Sequence, residues 1–150
     1  MSKKRKILVV VANPSVSTTT GWPVGFWASE LIHAYDAFVR HGYEVTIASP
    51  KGGKVELDAY SDPRDASGYS KDDSLSLEYL GQTQFVALLE RTAGVSDVHA
   101  KDFDAIVVAG GQSPMFTFKE AGNLHKLFKE FFAAASNNIR ANLAARYCHR

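Results

Sequence analysis

Residues 6–13 read KILVVVAN and residues 104–111 read DAIVVAGG. Both are runs of aliphatic and β-branched side chains with no polar alternation. A strand with one wet face alternates, whereas a strand buried on both faces does not. Such strands belong to parallel sheets covered by helices on either side, so the runs predict an α/β fold.

The sequence between them supplies the connections. From Phe26 to His41 the pattern is helical, with Trp27, Leu31, Ala34, Tyr35 and Phe38 on one face and Ser29, His33, Asp36 and Arg40 opposite. Gly42 is placed to end that helix, and YEVTIAS follows as a second strand. Strand, helix and strand make a right-handed βαβ unit. Asn13–Gly25 is rich in Ser, Thr, Pro and Gly and reads as a loop. Pro50–Ser74 is a long polar excursion, with a short hairpin expected around KVEL. Leu75–Thr92 should hold a helix with Phe85, Leu88 and Leu89 as its apolar face, and Val95 and Val98 lead into the third strand. A last helix is expected over Glu120–Ala135, with Leu124, Leu127, Phe128, Phe131 and Phe132 as its stripe. Alternation then requires another strand, but SNNIRANLAARYCHR is not strand-like. Ile139, Leu143 and Tyr147 recur at spacing four and read as more helix. The expected organisation is one α/β domain over residues 1–135 and an atypical tail over 136–150.

Charge and cysteine usage narrow the function. Seventeen basic and sixteen acidic residues leave a formal charge of +1, which argues against a general nucleic-acid or membrane-surface binder. Cys148 is the one cysteine, so no internal disulfide forms. The five histidines show no ligand spacing, and no metal is expected. The apolar run Ile7–Ala12 is too short for a membrane span and lacks a cleavage pattern, which predicts a reduced, cytoplasmic setting. Gly52-Gly53 is followed by no phosphate-loop spacing, so no cofactor is expected.

Three places could carry chemistry. Gly110 and Gly111 end a buried strand, where exposed amides can form part of an oxyanion hole; the dipeptide alone reads first as a plain strand-to-loop turn. Glu30 sits among Phe26, Trp27, His33 and Ala34 near that same sheet edge. Taken alone it is a helix-surface glutamate, but in that position it could donate a proton. Cys148-His149 offers a thiol beside a base; three residues from the end, it reads first as an unreactive terminus.

GFWASELIHAYDAFVRHGYEVTIASPKGGKVELD followed by KDFDAIVVAGGQSPMFTF resembles the ThiJ/PfpI superfamily, a branch of the class I glutamine amidotransferase-like fold, and its glyoxalase III and chaperone-like members above all. The resemblance covers about residues 5–135 and keeps the motifs in family order. It implies a flavodoxin-like three-layer sandwich around a parallel sheet, incomplete at the carboxyl end of this chain. It further implies conversion of methylglyoxal to lactate without glutathione, and a place in stress response. Deglycation, chaperone and peptidase activities also occur in the family. In its members an acid on the first helix hydrogen-bonds a cysteine held on a strand-to-helix elbow. Glu30 corresponds to that acid, and Gly110 and Gly111 to the oxyanion turn, with Gln112 following. The family more often has Gly-Gly-His-Gly there, from which Gln112 and Ser113 depart. Its elbow reads Cys-His-Gly; here Cys148 and His149 come late, without the preceding strand, and end in Arg150.

Two functions therefore stand open. One is a cysteine-dependent enzyme acting on a small aldehyde such as methylglyoxal, with Trp27 and Met115 excluding water. The other is a catalytically inactive, truncated member, either a binding or structural module or a non-functional remnant, whose uncovered sheet edge leaves room for a homodimer.

Overall fold

The computed structural model describes the backbone of residues 4–147 and the side chains of residues 4–135. Its strands are β1 (Lys6–Val10), β2 (Ser15–Val16), β3 (Pro23–Val24), β4 (Glu44–Ser49), β5 (Ala93–Gly94) and β6 (Ala105–Val108). Its helices are α1 (Ala28–Arg40), α2 (Ser74–Leu80), α3 (Thr83–Glu90), α4 (Ser113–Thr117) and α5 (Gly122–Tyr147). Four strands form one parallel sheet in the order β5-β4-β1-β6. The two aliphatic runs lie side by side, with Val9 of β1 in register with Ile47 of β4 and Val107 of β6.

Leu8 to Ala12 are all fully buried, which is what the lack of alternation predicted. Their side chains divide between two cores. Ile7, Val9 and Val11 meet Phe26, Leu31 and Ile32, together with Leu80 and Phe85 of α2 and α3. Leu8 and Val10 meet Leu124 and Leu127 of α5. The result is an α/β three-layer sandwich with α1, α2 and α3 on one face and α5 on the other. The first three long strands take the order second-first-third, the start of a flavodoxin-like sheet.

Helix α1 ends as its sequence specified. Gly42 takes φ +77°, its N–H donates to Val39 O at 2.9 Å, and Tyr43 N–H donates to Phe38 O at 3.0 Å. This is a Schellman closure, which a glycine enters without strain. Helix α5 continues past Ala135 to Tyr147, so the spacing of Ile139, Leu143 and Tyr147 falls on helical backbone. Among the described residues no helix is long and apolar enough to cross a membrane.

Three local expectations need correction. KVEL forms no hairpin: Gly53 bridges Thr92, and Leu57 bridges Phe26 in parallel fashion. The helix expected across Leu75–Thr92 is two helices, parted at Gly81 and Gln82, and Leu88 is 40% exposed while Phe85 and Leu89 are buried. The loop after β1 folds into a small antiparallel pair, β2 with β3.

Helices α1 and α2 are clasped by polar side chains. Asp36 accepts from Arg40 Nε and from Tyr79 Oη, both at 2.9 Å. Asp73 caps α2 by accepting from Ser76 N–H, and it also meets His33 Nε2 at 2.8 Å. The Arg40 hydrogen bond holds Asp36 below the usual carboxylate range. Burial pushes Asp73 up, but the bonds from Ser76 and His33 outweigh it and leave the group lowered. Burial and the bond to Asp36 push Tyr79 up to about 12. A carboxylate whose folded pKa is depressed stabilises the fold above its unfolded pKa of about 4, and that contribution is lost as pH falls through the folded value. The urea midpoint is therefore expected to hold between about pH 7 and pH 5 and to drop by about pH 3. Replacing both Asp36 and Asp73 with asparagine should flatten that drop; an equal drop in the double variant would contradict the clasp.

Candidate active site

The carboxyl ends of β1 and β6 lie next to each other, and the loops that leave them build one turn. The chain after β3 passes Gly25, Phe26 and Trp27 into α1, while the chain after β6 passes Gly110, Gly111 and Gln112 into α4. Trp27 N–H donates to Gly110 O at 2.9 Å, and Ser113 N–H donates to Gly25 O at 2.9 Å. These bonds place the third residue of α1, Glu30, against the glycine turn.

Glu30 meets that turn through its side chain. Its Oε2 accepts from the Gly110 N–H. A Cβ on residue 110 would stand 2.8 Å from Glu30 Oε2 and 3.1 Å from Oε1, so only glycine admits the carboxylate. Gly111 has φ +123°, and a Cβ there would stand 2.6 Å from Trp27 N. Both glycines are thus required by close approach, and at Gly111 by left-handed backbone as well.

Glu30 also has a structural role. The helix begins at Trp27 with no side-chain cap, and Glu30 is the acid in its first turn. A carboxylate there interacts favourably with the helix N-terminus. Yet its hydrogen bond reaches eighty residues along the chain, which a helix-surface glutamate would not need.

The other expected residues are placed unevenly. Gln112 N–H does not face the turn's opening; it donates to Asp58 Oδ2 at 2.6 Å. Gly110 N–H is taken by Glu30. Among the described residues the Gly111 N–H meets no hydrogen-bond acceptor. Glu30 itself is solvent-exposed, and Met115 is 69% exposed. Trp27 meets Tyr69 edge-on with centroids 6.0 Å apart. Among the described residues, then, Trp27 and Met115 do not enclose Glu30 as the sequence reading expected. Cys148 and His149 lie outside the described residues.

Asp58 escaped the sequence reading. It is 2% exposed and ties the two loops together: Oδ1 accepts from Gly25 N–H at 3.0 Å, and Oδ2 from Gln112 N–H. Ser61 reinforces it by accepting from Ala28 N–H at 3.0 Å and donating to Asp58 O at 2.8 Å. Within the long polar excursion, only its position at the end of KVELD could have drawn attention.

Together these features define a flavodoxin-like α/β protein with an acid from the first helix set on a glycine turn at the carboxyl rim of the sheet. The chain belongs to the DJ-1/PfpI family, whose sequence profile matches residues 23–141. It is 27% identical over 150 residues to the glutathione-independent glyoxalase hsp3101 of Schizosaccharomyces pombe, covering 99% of this chain and 57% of that one. It is 23% identical to the glutathione-independent glyoxalase HSP31 of Saccharomyces cerevisiae, covering 99% and 59%. The chain therefore spans a little under three-fifths of the length of these curated relatives. Among solved structures, the Rapid Encystment Protein 24 KDa of Francisella tularensis superimposes with a TM-score of 0.74 at 24% identity, covering 87% of this chain and 55% of that one. Glyoxalase III of Candida albicans superimposes with a TM-score of 0.69 at 21% identity, covering 87% and 53%. These two likenesses speak to the fold.

Proposed function

We propose that this chain carries a glyoxalase III-type site that converts methylglyoxal to lactate without glutathione. The single observation that carries the reading is the Glu30 carboxylate seated on the Gly110 amide at the sheet rim. With Oε2 held by that amide, Oε1 is the oxygen left to carry and donate a proton. In this reading the unpaired Gly111 N–H is the donor for the oxygen that becomes negative when a nucleophile adds to the aldehyde. Cys148 is the nucleophile in this reading, with His149 as its base. Sulfur adds to the aldehyde carbon; the proton on that carbon then moves to the neighbouring ketone carbon, and water releases lactate. The aldehyde carbon is oxidised and the ketone carbon reduced within one molecule, so methylglyoxal plus water balances lactate and no cofactor is needed. The names of the curated relatives, glutathione-independent glyoxalases, support the same substrate class.

The test is to incubate the purified chain with methylglyoxal, follow lactate, and compare Cys148→Ala. Lactate formed by the parent and lost in the variant is the expected result. Lactate at the same rate from both, or from neither, overturns the reading.

A second reading, an interaction module, has its own observation. Among the described residues β6 pairs with no strand on its outer side, where Val108 is 41% exposed. A hollow of about 610 Å³ beside it is lined by Phe103, Ile106, Phe128 and Phe131, with Phe132 76% exposed. An open strand edge with an apolar flank is a surface another strand can extend. Self-association lost on Phe132→Lys, with lactate formation absent, would favour this reading.

A further inference from the structure

A separate cavity opens on the α5 face of the sheet, at the carboxyl ends of β1 and β4. Its volume is about 420 Å³, within the range of roughly 300–1,000 Å³ usual for small-molecule sites. Neither Glu30 nor Gly110 lines it. Its floor includes Val95 and Phe116, and its two ionisable lining residues are Lys51, after β4, and Glu120, before α5. Neither charged side chain forms an ion pair with a described residue.

The wall that carries Lys51 is built before any ligand arrives. Asn13, only 8% exposed, accepts from Lys51 N–H at 2.8 Å and donates to Ser49 Oγ and Gly52 O, both at 3.1 Å. Ser49 Oγ in turn meets Thr92 Oγ1 at 2.7 Å. Ser113 Oγ donates to Asn13 O and fixes the neighbouring loop. A wall held in this way has little freedom left to lose on binding.

We propose that this cavity binds a small zwitterion with an apolar body, an α-amino acid being the simplest case, with its anionic group at Lys51 and its cationic group at Glu120. Lys51 and Glu120 both stand exposed at the rim of the cavity, so a simple anion or cation meets one of the two charges, whereas a zwitterion meets both. Val95 and Phe116 among the lining residues account for the apolar body. This assignment is independent of the glyoxalase reading, because it uses the opposite face of the sheet and its test does not follow lactate.

Isothermal titration of the 150-residue chain with three probes of one shape tests it: L-leucine, 4-methylpentanoate and 3-methylbutylamine. L-leucine is expected to bind at least about threefold more tightly than either singly charged probe. Lys51→Ala and Glu120→Ala should each weaken L-leucine about three- to tenfold. Lys51→Met, which keeps most of the aliphatic stem, should weaken it as much as Lys51→Ala does. Absence of L-leucine binding, equal affinity for all three probes, or unchanged affinity in the charge-removed variants would overturn the proposal.

Discussion

Glu30→Gln is expected to lower methylglyoxal turnover by the parent chain about a hundredfold or more, the usual contribution of a placed acid–base group. Glutamine keeps the size of the side chain and an oxygen that can accept from Gly110 N–H. What it cannot do is carry and release a proton from the position of Oε1. The loss should therefore fall on kcat, with KM nearly unchanged. Stability should fall by only about 0.5 kcal/mol, the worth of a negative charge in the first turn of α1. The variant thus separates the two roles of Glu30, since a merely structural glutamate would lose the small stability term and keep its turnover. Unchanged kcat in Glu30→Gln would remove the acid from the proposed chemistry.

Asp58→Ala is expected to destabilise the fold by about 3 kcal/mol, because it strips the acceptor from two backbone amides at once. Those amides, Gly25 N–H and Gln112 N–H, belong to the loops before α1 and after β6. Asp58 is almost wholly buried, so water is poorly placed to replace it. A larger urea midpoint shift than in Asp62→Ala, whose carboxylate pairs with Arg64 near the surface, is the measurement that checks it. The Glu30–Gly110 bond depends on the same two loops, so turnover should fall alongside stability. A shift below about 1 kcal/mol would mean that the loops hold without this carboxylate.

The sheet was legible because burial on both faces leaves a mark that periodicity can read. The run at β1 has no polar residue to place on a wet face and is buried, whereas the run at β6 reads alike but is half-buried with Val108 exposed; Gly42 marks the end of α1. The missed features are those whose partners lie far along the chain. Nothing local to KVEL announces that Gly53 meets Thr92 or that Leu57 meets Phe26. The break between α2 and α3 falls at Gly81 and Gln82, inside a short polar stretch, GQTQ, that a single helix could also carry on its wet face. The site divides in the same way. The motif resemblance brought Glu30 and the glycine pair together, whereas periodicity alone left Glu30 on a helix surface. Asp58 carried no signal, because its partners are backbone amides 33 and 54 residues away. Gln112 was placed with the oxyanion turn by the resemblance, and its N–H donates to Asp58 Oδ2.

The Glu30 carboxylate and the Gly110 amide form one unit at the rim of the sheet. The ¹H–¹⁵N resonance of Gly110 tests it most directly. A charge-assisted hydrogen bond to a carboxylate should place the Gly110 amide proton well downfield, and Glu30→Ala should move it strongly upfield while Leu124 and Leu127 on the opposite face of the sheet stay put. A Gly110 resonance that ignores the loss of Glu30 would contradict the account.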